Sequence, residues 1–167
     1  YLSNNKPDKA MEICQQIFNL EPNDPETHLM LADYYENLNE DIKAFFHVKI
    51  AFENPDLNID DKAKILIGYF NLPEKFKAEH EESDTLINIL LRVHPHDAKT
   101  YSLQGDFLYR DGKNAASRDA FRKAIALDKT RYPLWQQIMA LDEQLGDYDA
   151  MESDSRQAIE LFPSEPY

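Results

Sequence analysis

The chain has 167 residues, 43% of them hydrophobic, and a formal charge of 18 − 31 = −13. That charge excludes nucleic acid as the main partner, because neutralising phosphates takes clustered Lys and Arg. A single cysteine, Cys14, excludes an internal disulfide, and the best apolar run, Ile65 to Phe70, is far too short to insert into a membrane.

Residues recur at a spacing of 34: Ala10 and Ala44, Tyr101 and Trp135, Gly112 and Gly146, Ala124 and Ala158. A fixed period of this length marks a stack of repeats, each unable to bury its apolar face alone. Scarce Gly and spaced Pro, with abundant Ala, Leu, Glu and Lys, predict helices joined by short turns. Residues 1–24 form a partial repeat in which Cys14 takes an inward slot as a buried structural thiol. Residues 25–38 carry Leu29, Leu31, Ala32, Tyr34, Tyr35 and Leu38 at helical spacing, and 40–53 follow with Ala44, Phe45, Val48, Ala51 and Phe52.

The next block, 56–97, is stretched. Ala51 and Leu90, its register equivalent, are 39 residues apart, about five more than the period. Placing Gly68 at the eighth position divides the excess between the turn Pro55–Asp61 and the charged stretch Asn71–Ser83, with helices at 60–71 and 79–93. Regularity returns in the pairs 98–111 with 114–127, joined through Gly112, and 131–145 with 148–161, joined through Gly146. Glycine there permits the left-handed backbone that ends a helix, and Asp24, Asp97 and Asp147 stand where N-caps are expected.

These residues resemble the tetratricopeptide repeat. The last repeat, 132–165, offers Trp135 at position 4, Ile138 at 7, Gly146 at 15, Ala158 at 27 and Pro163 at 32. The one before it, 98–131, offers Tyr101, Gly105, Leu108, Phe121 and Ala124 at 4, 8, 11, 24 and 27. Repeat 25–55 gives Leu31, Ala32, Tyr35, Ala44, Val48 and Ala51 at 7, 8, 11, 20, 24 and 27. Small residues at 8, 20 and 27 let backbones approach while large ones fill the spaces between. The departures are Ser117 and Met151 at position 20, Asp142 in the Tyr slot at 11 and Lys129 in place of Pro at 32. The resemblance implies an all-α fold, a solenoid of antiparallel helix pairs winding as an α-α superhelix, running through 1–167 as about four full repeats and a partial first one. The wording of the stretched block is similar to repeat proteins of Bacteroidetes-type bacteria, which sets a bacterial expectation with the cell envelope favoured over the cytoplasm. Tyr1 falls midway through a helix and Pro166-Tyr167 open a repeat that does not continue, so a longer array is expected, with self-association through uncapped ends.

No chemistry is implied. His94-Pro95-His96-Asp97 offers too few converging ligands for zinc and reads as a solvated turn, and His80 with Asp84 reads as a solvated face. There is no phosphate-cradling loop, nucleophile elbow or carboxylate pair set by a motif, so neither an enzyme nor a cofactor is expected. In the family the first helix of each pair lines a concave groove. The resemblance places Leu29, Asp33, Glu36 and Asn37 there, then Ser102, Asp106, Tyr109 and Arg110, then Gln136, Glu143 and Gln144. The Lys and Asn clamp that some relatives use for a C-terminal carboxylate is absent, and the mixture suits an extended peptide of basic or polar character. Tyr109 and Arg110 are the expected anchors. Arg118, Arg122 and Lys123 fall on the convex side, where Arg118 is expected to pair with Glu152. Three roles stay open: a protein-binding scaffold, a regulatory or sensory module of a longer signalling protein, and a structural part of an envelope assembly.

Overall fold

The structure, a computed structural model, describes residues 16–70 and 77–165. Ala10, Cys14, His80's side chain, part of the stretch Asn71–Ser83, and both chain ends therefore lie outside the described residues. Among the described residues the fold is all-α, of the tetratricopeptide solenoid class. A helical stretch at 16–20 precedes α1 (Pro25–Asn37), α2 (Asp41–Glu53), α3 (Ile59–Phe70), α4 (Lys77–Val93), α5 (Ala98–Arg110), α6 (Asn114–Leu127), α7 (Tyr132–Leu145) and α8 (Tyr148–Leu161). Packing groups the helices into two units, the first ending at Val93 and the second starting at His94.

The helix ends follow from local chemistry. Asp24, Asp97 and Asp147 cap α1, α5 and α8, each accepting from a backbone N–H in the first turn. The turns inside the pairs share one geometry. Glu40, Lys113 and Asp147 each donate a backbone N–H to the carbonyl five residues earlier, at 2.9 Å in all three. The preceding residue is left-handed each time: Gly112 and Gly146 at φ 71° and Asn39 at φ 57°. Asn39 occupies the slot of the two glycines, which asparagine tolerates better than other side chains.

A second device recurs at position 4. The ring nitrogen Nε2 of His28 donates to the Pro22 carbonyl at 3.0 Å, the Tyr101 hydroxyl to Pro95 at 3.0 Å and the Trp135 Nε1 to Lys129 at 3.1 Å. Each bond spans six residues and ties a helix to the turn before it. The acceptor is a main-chain carbonyl, so Lys129 serves as well as proline does. Lys62, the fourth residue of α3, does a related job by donating its Nζ to the Asn54 carbonyl at 2.8 Å.

In the second unit Phe121, Ile125, Leu134, Trp135, Ile138 and Ala158 form the core, and α6 and α7 pack closely. Gly105 is required there. A Cβ on it would stand 2.4 Å from the Phe121 ring, itself buried. Ser117 fits the small-residue slot because its hydroxyl donates to the Gly105 carbonyl at 2.8 Å. Asp142 is fully buried and is held by Arg118 Nη1 at 2.9 Å and Arg122 Nη2 at 3.0 Å. These arginines also reach Asp147 at 2.8 Å and Asp154 at 2.7 Å, so an ion network joins α6, α7 and α8. Burial pushes the Asp142 carboxyl above its ordinary value in spite of the two guanidinium groups. The expected Arg118–Glu152 pair does not form: Glu152 pairs with Arg156 one turn along its own helix.

The first unit departs from the expected register. Helix α3 begins at Ile59, 34 residues after Pro25, so the turn before it has ordinary length and the five extra residues lie beyond Phe70. The eighth residue of α3 is Leu66, fully buried, whereas Gly68 is exposed with no atom near its missing Cβ. Here α4 packs on both α2 and α3, while α2 and α3 barely touch. The cause is visible in the sequence. Where α7 presents Leu134 and Trp135 to α6, α3 presents Asp61 and Lys62.

Candidate functional site

The loose α2–α3 contact leaves a cleft of about 590 Å³. Leu29, Ala32, Asp33 and Glu36 of α1 line one side, Ile65, Gly68 and Tyr69 of α3 the other, and Asp41, Ala44, Phe45 and Val48 of α2 the floor. A smaller hollow of about 360 Å³ adjoins it across Leu29 and Ile65 and adds Glu26, Asp61 and Lys64. The cleft thus combines the apolar Ala44, Phe45 and Val48 of its floor with the carboxylates of Asp33, Glu36 and Asp41. That is the composition of a site for an apolar side chain flanked by cations.

Three of the residues expected on this face, Leu29, Asp33 and Glu36, are brought together at the cleft. Asn37 lies beside it, exposed, with its amide donating to the Asp33 carbonyl at 2.7 Å. The floor and far wall were not expected, because a regular register buries them between helices. The signal was present as Asp61-Lys62 in place of an apolar pair, and assigning Gly68 to position 8 concealed it.

Behind the cleft, α1 and α2 are bridged by histidines. His28 must donate through Nε2 to Pro22, so its Nδ1 accepts from the Nδ1–H of His47 at 2.8 Å. His47 also stacks on Tyr35, with ring centroids 5.5 Å apart. Burial, with the neighbouring His28 ring, holds His47 below its ordinary value. Lys62, buried at the start of α3, is pushed down to about 8 by the same desolvation.

The second unit carries a smaller pocket of about 140 Å³, lined by Asp106 and Tyr109 of α5, Phe121 of α6, and Gln137, Ala140, Leu141 and Gln144 of α7. It gathers three more of the expected residues: Asp106, Tyr109 and Gln144. Burial raises the Asp106 carboxyl to about 6, with Arg131 pulling it down. Gln144 accepts from the Asn114 amide at 3.0 Å. The remaining expected residues stand outside the pocket. Ser102 is half-buried, Glu143 and Gln136 are exposed, and the Gln136 amide donates to the Tyr132 hydroxyl at 3.3 Å. Tyr109 is 50% exposed and open to a partner. Arg110 is engaged internally, donating Nε and Nη2 to Asp111 at 3.1 Å while its guanidinium lies 4.6 Å from the Phe107 ring centre. Among the described residues no cluster of three or more His, Cys, Asp or Glu side chains is arranged to hold a metal ion, and no helix is long and apolar enough to cross a membrane.

Comparison with known proteins agrees with the fold. Residues 98–131 match the family model of the tetratricopeptide repeat. Protein O-mannosyl-transferase TMTC3 of Homo sapiens is 26% identical over 167 residues, an alignment that covers 93% of this chain and 18% of that protein. The Mus musculus counterpart is 26% identical over 78% of this chain and 15% of that protein. The chain therefore spans less than a fifth of the length of these curated relatives. Among solved structures, MamA 41-end from Desulfovibrio magneticus RS-1 superposes with a TM-score of 0.57 at 18% identity, covering 99% of this chain and 91% of that one. MamA from AMB-1 gives 0.58 at 16% identity, covering 98% and 87%. At such identities the likeness is one of fold.

Proposed function

This chain carries a tetratricopeptide repeat and has the fold of the tetratricopeptide solenoid, and from that premise we propose that it is a protein-interaction scaffold whose first helices receive an extended segment of a partner. The carrying observation is the 590 Å³ cleft, where Leu29, Asp33 and Glu36 stand over the apolar floor of α2. The segment it suits bears an apolar side chain for Phe45 and Val48, flanked by basic residues for the carboxylates of Asp33, Glu36 and Asp41. Binding of this kind draws most of its free energy from a few buried anchors. The test is selection from a random peptide library followed by fluorescence anisotropy of the recovered peptides. Leu29→Ala combined with Tyr69→Ala weakens binding at least about tenfold, roughly 1.4 kcal/mol. Phe46→Ala, on the exposed opposite face of α2, leaves it unchanged. The reverse pattern moves the site off the cleft.

The curated relatives favour a second reading, in which the repeats serve as the partner-binding module of a longer enzyme. They are named as O-mannosyl-transferases, and the similarity to this chain occupies under a fifth of their length. A transferase domain in the same reading frame supports this reading, and an array of repeats alone removes it.

A further inference from the structure

The carboxylates inside the second unit have partners, with one exception. Asp142 and Asp154 share Arg122, Asp147 holds Arg118, and Asp111 takes Arg110 and Lys113. Asp106 is half-buried on α5 and has no hydrogen-bond or ion-pair partner among the described residues. Its one charged neighbour, Arg131, is drawn towards Asp128, at 3.8 Å. A desolvated carboxylate left unpaired is costly, and a ligand that brings a cation to it recovers the most.

The space beside Asp106 fits such a ligand. At about 140 Å³ it is a narrow slot, lined by Tyr109, Phe121 and Leu141, with Gln137 also on its lining. Aromatic faces accept both a methylene chain and the cation at its end. The slot supplies one carboxylate and neutral amides, too few oxygens for calcium. We propose that the Asp106 pocket receives a lysine or arginine side chain of a partner protein. The cation sits on the Asp106 carboxylate, the stem lies along Tyr109 and Leu141, and Gln137 completes the head's hydrogen bonds. The pocket therefore selects for a basic residue at one point of the partner, an inference that rests on the scaffold reading above.

The test uses Nα-acetyl-lysine N-methylamide and its ε-acetylated, uncharged counterpart, titrated into the full 167-residue chain and followed by amide NMR shifts. The charged probe gives saturable shifts at Asp106, Tyr109 and Gln137, and the acetylated probe gives none. Asp106→Asn abolishes saturation, whereas Asp149→Asn, which removes the same charge from the exposed face of α8, preserves it. Because Asp106 has no partner to lose, its Asn variant folds at least as stably as the parent, which thermal unfolding checks. Equal shifts from both probes, no saturable shift, or unchanged binding in the Asn variant overturns the proposal. Library peptides that bind the cleft while the lysine probe is refused leave the scaffold reading standing and remove only this pocket. The opposite result removes the scaffold reading alone.

Discussion

The two units solve the same packing problem with different tolerance for irregularity. In the second, three of the four departures from the repeat pattern are matched by a partner: Asp142 by Arg118 and Arg122, Ser117 by the Gly105 carbonyl, Lys129 by use of its main chain alone. In the first, Asp61 and Lys62 stand where an apolar pair closes the next helix contact. Lys62 ties the start of α3 to the Asn54 carbonyl, but α2 and α3 barely touch and a cleft stands between them. Departures that are compensated preserve packing. The one met by a polar tie at the start of α3 leaves a space beside it, and that space is the better candidate for function.

The sharpest way to break this contrast is to remove a compensating group. Asp142→Ala leaves Arg118 and Arg122 facing a buried gap and is expected to cost about 3–5 kcal/mol. Chemical denaturation measures the loss, and hydrogen exchange locates it in α6, α7 and α8. A loss under about 1 kcal/mol would mean that the network is dispensable and the contrast misdrawn.

The glycines test it next. Gly105→Ala drives a methyl into the buried Phe121 ring and is expected to cost about 1–3 kcal/mol. Gly68→Ala meets open space in a helix and is expected to stabilise the chain by about 0.5–1 kcal/mol. Thermal unfolding of the two variants gives shifts of opposite sign. Shifts of the same sign would show that α3 is as tightly packed as α5.

Those glycines also mark what was legible. Period and caps placed the eight helices to within two residues, seven of them to within one, because Gly, Asp and aromatic residues act locally. α4 begins at Lys77, before the expected 79, since the charged stretch gives no sharp start signal. The register of α3 differs from the expected one because Gly68 looks like a close-packing residue in sequence, whereas the start at Ile59 puts the buried Leu66 in that slot. Asp142 looked like a defect because its partners sit 24 and 20 residues away on another helix. Half of the candidate site, the walls from α1 and α5, followed from the repeat. The floor of the cleft did not, since it is exposed by a contact that fails to form.

A smaller effect sits at position 15 of the pairs. Asn39→Ala places an ordinary side chain in the left-handed region and is expected to cost about 1 kcal/mol, near the lower end of the usual penalty. Gly146→Ala should cost a similar amount. Matching losses in denaturant titrations show the turns to be equivalent in the two units, and a neutral Asn39→Ala would show the first turn to be relaxed.

The smallest expected effect is the most discriminating, because the units should answer acid in opposite directions. Burial holds His47 below its ordinary value, so the unfolded chain takes up a proton at a pH where the folded His47 ring still resists it. That contribution to the first unit is complete above about pH 6.5 and declines as the pH falls below it. Asp106 works the other way. Raised to about 6, it holds a proton in the folded state that the unfolded carboxyl has already lost, so the second unit gains stability as the pH falls from about 6 towards 4. Asp142, also raised by burial, adds to the same trend. Hydrogen exchange at about pH 7.5 and about pH 5.5, corrected for intrinsic exchange, should show α1 and α2 loosening while α5 and α7 tighten. Asp106→Asn flattens the second response and His47→Phe the first. If both units move together in the parent protein and neither variant changes its slope, the two buried groups are not what distinguishes the halves, and the contrast reduces to packing alone.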